Sequence, residues 1–259
     1  MRHDDPADGW FGESVAATYD HPWGREYEPD EIARTVDFLA GLAGDGPALE
    51  LALGTGRIAC PLAERGVDVH GIELSRAMAA RLAGKPGAER VTVTIGDMTS
   101  ARVPGRFNLA YLVFNTINNV TTQDGQVACF ATAAHHLQPG GKFVIEVGVP
   151  ALRRLPPGQD TVPFSVEPDG RGGGYVGFDR FDVVSQQFTS NHVTVAGGER
   201  AGDDHSTFRT IPFRYVWPAE LDLMARLAGL ALTDRWADWA RAPFTADSTK
   251  HVSVWTKPA

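Results

Sequence analysis

The sequence predicts an α/β protein, a seven-stranded, mostly parallel sheet with helices on both faces and a smaller antiparallel sheet inserted after the fifth strand. Three observations predict it. Short apolar runs alternate with helical patterns over residues 48–149. Runs rich in β-branched and aromatic residues, separated by turn clusters, follow over 175–217. A helix pattern and two more strand patterns then close the chain. With 259 residues, 43% of them hydrophobic and 22% charged, the chain has the size and composition of one large domain.

The elements follow in order. Residues 1–45 read as an N-terminal helical lid. Residues 46–150 and 218–259 read as the core and 151–217 as the insertion. Strands are expected at 48–53, 67–73, 91–95, 107–114 and 142–149. Residues 57–65 form a helix stopped by Gly66, and Ser75 caps a helix carrying Met78 and Leu82. The clearest helix spans 122–137, where Val127, Phe130, Ala131, Ala134 and Leu137 recur at helical spacing. Thr121 and Asp124 form a weak capping pair at its start. The Pro- and Gly-rich stretch from Leu155 to Gly174 predicts a loop. Strands at 175–182, 187–195 and 205–217 make the insertion. Pro218 opens a helix whose Leu221, Met224, Ala225 and Ala228 share a face, and strands at 230–236 and 251–255 end the sheet as a long-tipped hairpin.

A formal net charge of -8 and the lack of a dense basic run argue against a nucleic-acid partner. No apolar run approaches the roughly 20 residues needed to span a bilayer, and residues 1–5 lack signal-peptide character, so a cytoplasmic protein without a membrane partner is expected. Cys60 and Cys129 read as buried thiols in a reducing compartment. His135 and His136, adjacent on a helix, point about 100° apart and make no joint metal site. They are expected at the surface and its boundary, and no metal is expected.

The chemistry is carried by Glu50 to Arg57, which joins the first strand to a helix through a glycine-bearing turn. In an open parallel sheet ligands bind beyond the strand carboxyl ends, and glycines let them approach the backbone. Gly54, Gly56 and Ala59 also satisfy the GxGxxA dinucleotide pattern, so this turn alone does not choose between S-adenosylmethionine and NAD. Glu73 ends the second strand, where a carboxylate can accept both ribose hydroxyls. Gly96, Asp97 and Met98 follow the third strand and pair an acceptor with an apolar face, which suits adenine. Phe114, Asn115 and Thr116 end the fourth strand at the same mouth.

Together ELALGTGR at 50–57, GIELS at 71–75, GDM at 96–98 and LQPGGKFVIEV at 137–147 resemble the class I S-adenosylmethionine-dependent methyltransferases over residues 45–150. The resemblance implies a Rossmann-like methyltransferase fold and S-adenosylmethionine as cofactor. It places Glu50, Gly54, Thr55, Gly56 and Arg57 at the methionine end, Glu73 and Leu74 at the ribose, and Gly96, Asp97 and Met98 at the adenine. Met78, Phe114 and Asn115 join the cofactor set, and Tyr19 closes over it from the lid, whereas Trp23 reads as ordinary helix packing. Ala52 departs from the family's usual glycine, for which altered packing without loss of binding is expected. Asn108 stands where the fourth strand often has aspartate.

The later layout, with Tyr19, Asp20, Pro243, Phe244 and Thr245, is similar to small-molecule methyltransferases such as the amino-sugar N,N-dimethyltransferases. This implies methylation of a small-molecule acceptor, on nitrogen or oxygen, with the insertion on the acceptor side and a homodimer as the candidate assembly. His192 and His205 are the candidate bases, having the suitable unperturbed pKa. An NAD-dependent oxidoreductase and a non-catalytic S-adenosylmethionine-binding protein are the rival readings.

Overall fold

The computed structural model describes residues 5–20, 27–170, 172–197 and 206–259. A 3-10 turn at Pro6–Asp8 and helix α1 (Glu13–Ala16) precede α2 (Pro29–Ala43). Strands and helices then alternate as β1 (Ala48–Leu51), α3 (Ala59–Glu64), β2 (Val69–Glu73), α4 (Arg76–Ala80), β3 (Val91–Ile95), β4 (Phe107–Leu112), α5 (Gln123–His136) and β5 (Leu137–Gly148). The insertion contributes β6 (Thr161–Pro168), β7 (Gly174–Asp182), β8 (Gln187–Val195) and β9 (Thr207–Arg214). Helix α6 (Pro218–Leu227), β10 (Ala231–Trp236) and β11 (Lys250–Thr256) return to the core.

The main sheet has seven strands in the order β10-β11-β5-β4-β1-β2-β3. β3, β2, β1, β4 and β5 run parallel, and β11 lies antiparallel between β5 and β10. Apolar side chains cover both faces. Cys129 and Phe130 of α5 with Leu221 and Met224 of α6 pack on one face, and Val36 and Leu39 of α2 with Cys60 and Leu62 of α3 pack on the other. Phe130 meets Phe143 and Trp255 edge-on at 5.1 and 5.4 Å, a geometry that matches ring edges to ring faces. The strand order reverses at β1 and β4, where an open sheet leaves a crevice beyond the strand ends.

Several elements differ from expectation, each for a physical reason. The expected loop at 155–174 contains β6, so the second sheet has four strands, β6-β7-β8-β9. Pro163 and Pro168 hid it. β6 is an edge strand, where proline's missing N–H costs no ladder bond, and the register shifts between Pro163 and Ser165. The cap of α5 is Thr122, whose hydroxyl accepts from Gly125 N–H at 3.1 Å, one residue beyond the expected pair. His136 is fully buried: it accepts Val103 N–H at Nε2 (3.0 Å) and donates from Nδ1 to Thr132 O (2.8 Å). Within 1–45, α2 packs into the core of the main sheet, and residues 5–20 lie over the crevice. Asn108 bonds Ala43 O and receives Gln138 Nε2, which makes it a tie between α2 and β5.

The insertion is fastened to the core by one buried charge. Arg214, at the end of β9, reaches Gln126 of α5, Gln186 and Glu220 of α6.

Candidate active site

The chain leaves β1 through left-handed residues at Ala52 (φ 58°), Gly54 (φ 61°) and Gly56 (φ 79°). A Cβ at Gly56 would stand 2.8 Å from Cys60 Sγ, so both conformation and packing require glycine there. At Ala52 the departure from glycine is conformational, because an alanine occupies a region that L residues enter at a cost of about 1 kcal/mol. Gly54 N–H donates to Glu73 Oε2 at 2.7 Å, and Ser75 N–H donates to Oε1 at 2.9 Å. The Glu73 carboxylate thereby locks the turn after β1 to the turn after β2. Burial raises its pKa, and the N–H donors oppose that shift.

Glu50 is buried on β1 and accepts Tyr111 Oη–H at 3.0 Å. Burial pushes its pKa up to about 8, against the Tyr111 bond and the Arg57 charge. The guanidinium of Arg57 sits 5.1 Å from the ring centres of both Tyr27 and Phe114. Beyond β3, Asp97 Oδ1 accepts both the N–H and the hydroxyl of Thr99 at 2.8 Å, which shapes the turn that carries Met98.

Phe114 (φ 57°) and Asn115 (φ 59°) are consecutive left-handed residues without glycine, a strain that persists only where neighbours impose it. Glu146 of β5 imposes it: Oε2 accepts Phe114 N–H at 2.9 Å and its backbone oxygen accepts Asn115 N–H at 3.2 Å. Gly148 N–H donates to Asn115 Oδ1 at 2.6 Å. Lys250 anchors Glu146 at 2.9 Å and reaches Glu31 at 3.2 Å. The sequence reading missed Glu146; its only signal was one carboxylate within the apolar run of β5.

Three adjoining cavities fill the crevice. A narrow one of about 30 Å³ is walled by Tyr19, Glu50, Gly54, Thr55, Arg57 and Phe114. A second, of about 350 Å³, is walled by Glu73, Leu74, Gly96, Asp97 and Met98, with Trp10 and Phe11 across from the N-terminal segment. A third, of about 470 Å³, lies between the core and the second sheet. Ala52 lines the first two, Tyr19 and Phe114 the first and third, and Phe11 and Asn119 the second and third.

Asn115 and His192 line the third cavity, whose wall also includes the predicted Tyr19 and Phe114. Gly56 and Met78 line none of the three; Met78 is buried beneath the turn, its Cε 3.7 Å from a Cβ built at Gly54. His205 and Trp23 lie outside the described residues.

The segment 5–20 is held down over this crevice. Asp8 accepts Arg76 N–H at 2.6 Å, Ser75 Oγ donates to Phe11 O at 2.7 Å, and Asp20 binds Thr55 Oγ1 (2.6 Å) and Lys85 Nζ (2.7 Å).

Residues 48–141 match the profile of a methyltransferase domain. The CcbJ methyltransferase from Streptomyces caelestis superposes with a TM-score of 0.84 at 34% identity, covering 97% of this chain and 99% of that one. The chain belongs to the S-adenosylmethionine-dependent methyltransferases. Over 80% of its length the methyltransferase is also 29% identical to a cypemycin N-terminal methyltransferase of Streptomyces sp, covering 81% of that protein. The S-adenosylmethionine-bound amino pentose methyltransferase from Micromonospora echinaspora, at 20% identity, shares the fold with a TM-score of 0.67 over 99% of this chain and 100% of that one.

The cofactor of the methyltransferase is therefore S-adenosylmethionine, and the NAD reading of Gly54, Gly56 and Ala59 is set aside. The residues present fit that group, since Gly54 turns at the wall of the narrow cavity and a buried carboxylate ends β2 beside a cavity of about 350 Å³. Among the described residues no helix is long and apolar enough to cross a membrane, and no three His, Cys, Asp or Glu gather as a metal site.

Proposed function

We propose that this methyltransferase methylates a small amphipathic molecule held in the 470 Å³ cavity between its core and its second sheet. The observation that carries the reading is the sharing of Tyr19 and Phe114 between that cavity and the narrow pocket at the end of β1. A reacting group in the large cavity and a methyl donor at β1 meet at those two rings.

The cofactor supplies an activated methyl group on a sulfonium. Glu73 accepts the ribose hydroxyls, its oxygens keeping lone pairs beyond the two N–H bonds they already take. Asp97 and Met98 hold the adenine, and Glu50, Gly54, Thr55 and Arg57 hold the amino-acid tail, with Leu74 and Gly96 completing the wall. Tyr19 and Phe114 place π faces beside the sulfonium, which their quadrupoles favour. Phe11 lines the second and third cavities and Tyr19 the first and third, so the two rings keep water from the crevice, while the cavity walls align the acceptor for in-line displacement.

Isothermal calorimetry with S-adenosylhomocysteine tests this. Binding by the wild type and at least about thirtyfold weaker binding by Glu73→Ala is the expected result, from the loss of charged hydrogen bonds worth about 2 kcal/mol or more. Absence of heat with the wild type, or unchanged affinity in a folded Glu73→Ala protein, would overturn it.

A further inference from the structure

The wall that β7, β8 and β9 present to the third cavity is sorted by polarity. Phe181, Phe188 and Phe213 stack across the strands at 5.2 and 5.0 Å. Two residues along each strand, on the same face, Asp179 stands opposite Ser190, and His192 follows two residues further on β8.

These polar groups form a chain. Ser190 stands opposite Asp179 on the neighbouring strand, Ser190 Oγ lies 3.3 Å from His192 Nε2, and His192 Nδ1 lies 2.7 Å from Tyr175 Oη. A carboxylate only accepts.

The chain nevertheless leaves Asp179 incomplete. Its Oδ1 is buried without a hydrogen-bond partner, and so is Oδ1 of Asn118 in the same cavity. A buried acceptor left unpaired costs roughly 1–3 kcal/mol, more when charged. The cavity's lining holds no Lys or Arg, and the charge of Arg154 acts on Asp179 only from outside that lining. Two orphaned acceptors, one of them a carboxylate, call for a ligand that brings several donors and positive charge. A hydroxyl brings one donor and no charge.

We infer that the acceptor is an amine on an apolar body, and that Asp179 is the residue that selects it, by taking an N–H of its ammonium at Oδ1. This inference rests on the methyltransferase reading of the site. The reaction balances as follows. The Asp179 carboxylate takes one proton from the ammonium and becomes a carboxylic acid, leaving a neutral amine. The nitrogen lone pair forms the N–CH3 bond as the S–CH3 pair returns to sulfur, giving a methylammonium and a neutral thioether. Asp179 returns its proton to water as the methylammonium product leaves, which restores the carboxylate. His192, held between Ser190 and Tyr175, is a positioning residue.

The test uses the full chain saturated with S-adenosylhomocysteine and a panel of aryl-alkyl amines paired with isosteric alcohols, tryptamine with tryptophol among them. Binding is read by calorimetry, and product by mass spectrometry with S-adenosylmethionine. Amines are expected to bind and to be methylated in preference to their alcohols. Asp179→Asn is expected to weaken amine binding at least about thirtyfold while leaving alcohols unchanged. Preference for the alcohols, no amine hit across the panel, or amine binding that survives Asp179→Asn would overturn the inference. S-adenosylhomocysteine affinity is measured alongside. If wild type fails to bind it, the methyltransferase site itself is misread; if both proteins bind it equally, Asp179→Asn is folded and its amine result stands.

Discussion

Glu50 lies on β1 with its carboxyl out of water, and Tyr111 is its hydrogen-bond donor. With its pKa near 8 in the fold and an ordinary value in the unfolded chain, the native state holds a proton that the unfolded state has released between about pH 4.5 and 8. Stability therefore falls as pH rises through that window, by up to roughly 3 kcal/mol at pH 7. Glu50→Gln keeps an acceptor for Tyr111 and removes this penalty. Its melting temperature should exceed wild type at pH 7.5 and approach it at pH 5, as read by thermal denaturation. If Glu50 faces the cationic end of the cofactor, binding must drive the proton off. S-adenosylhomocysteine affinity should then rise from pH 6 to 8 in wild type and stay flat in Glu50→Gln; calorimetry that gives equal slopes would remove Glu50 from the site. At this scale the places of Glu50, Glu73 and Asp97 in the fold were legible, because each lies within, ends or follows a strand of the pattern. Asp179 was not, since the alternation in Phe178, Asp179, Arg180, Phe181 tells faces apart without saying which one meets a cavity. Nor does the sequence reveal the left-handed turn at Ala52, which a glycine would have announced.

Helix α4 is five residues long, too short to hold itself, so its cap matters beyond its size. Ser75 Oγ accepts Met78 N–H at 3.0 Å and donates to Phe11 O, joining the start of the helix to the segment above the crevice. Ser75→Ala removes both bonds. We expect a stability loss of about 1–2 kcal/mol in chemical denaturation, together with several-fold weaker S-adenosylhomocysteine binding. Ser75→Thr should restore both, and a stability loss without any change in binding would show that the segment is held by its other ties alone. The cap was legible from a serine before the Met78 and Leu82 pattern. β6 was not, because the prolines that an edge strand tolerates are the same residues that signal a loop.

For the whole molecule, the alternation of patterns made the parallel sheet legible, whereas the place of β11 between β5 and β10 is a long-range pairing that no local pattern carries. The attachment of the second sheet was equally hidden. Arg214 is almost fully buried with Glu220 at 2.6 Å, bonded also to Gln126 and Gln186. Arg214→Met would leave Glu220 with the amide donors of Gln123 and Gln186 but without its cation, and a loss of about 3 kcal/mol is expected in denaturant unfolding. A loss below about 1 kcal/mol would mean that the second sheet is fastened elsewhere.

Phe11 and Tyr19 each belong to two walls at once. A segment that must settle once for both ligands couples their equilibria, and such coupling is reciprocal. Whatever factor S-adenosylhomocysteine adds to acceptor affinity, acceptor must add to S-adenosylhomocysteine affinity. A closed thermodynamic square, titrated along all four edges, should give a coupling of about 1–3 kcal/mol in wild type. It should shrink when Phe11 and Tyr19 are both replaced by alanine, even where each ligand still binds alone. The segment 5–20 would then set the order of events, making the enzyme's commitment to its acceptor a property of sixteen residues that transfer no group themselves.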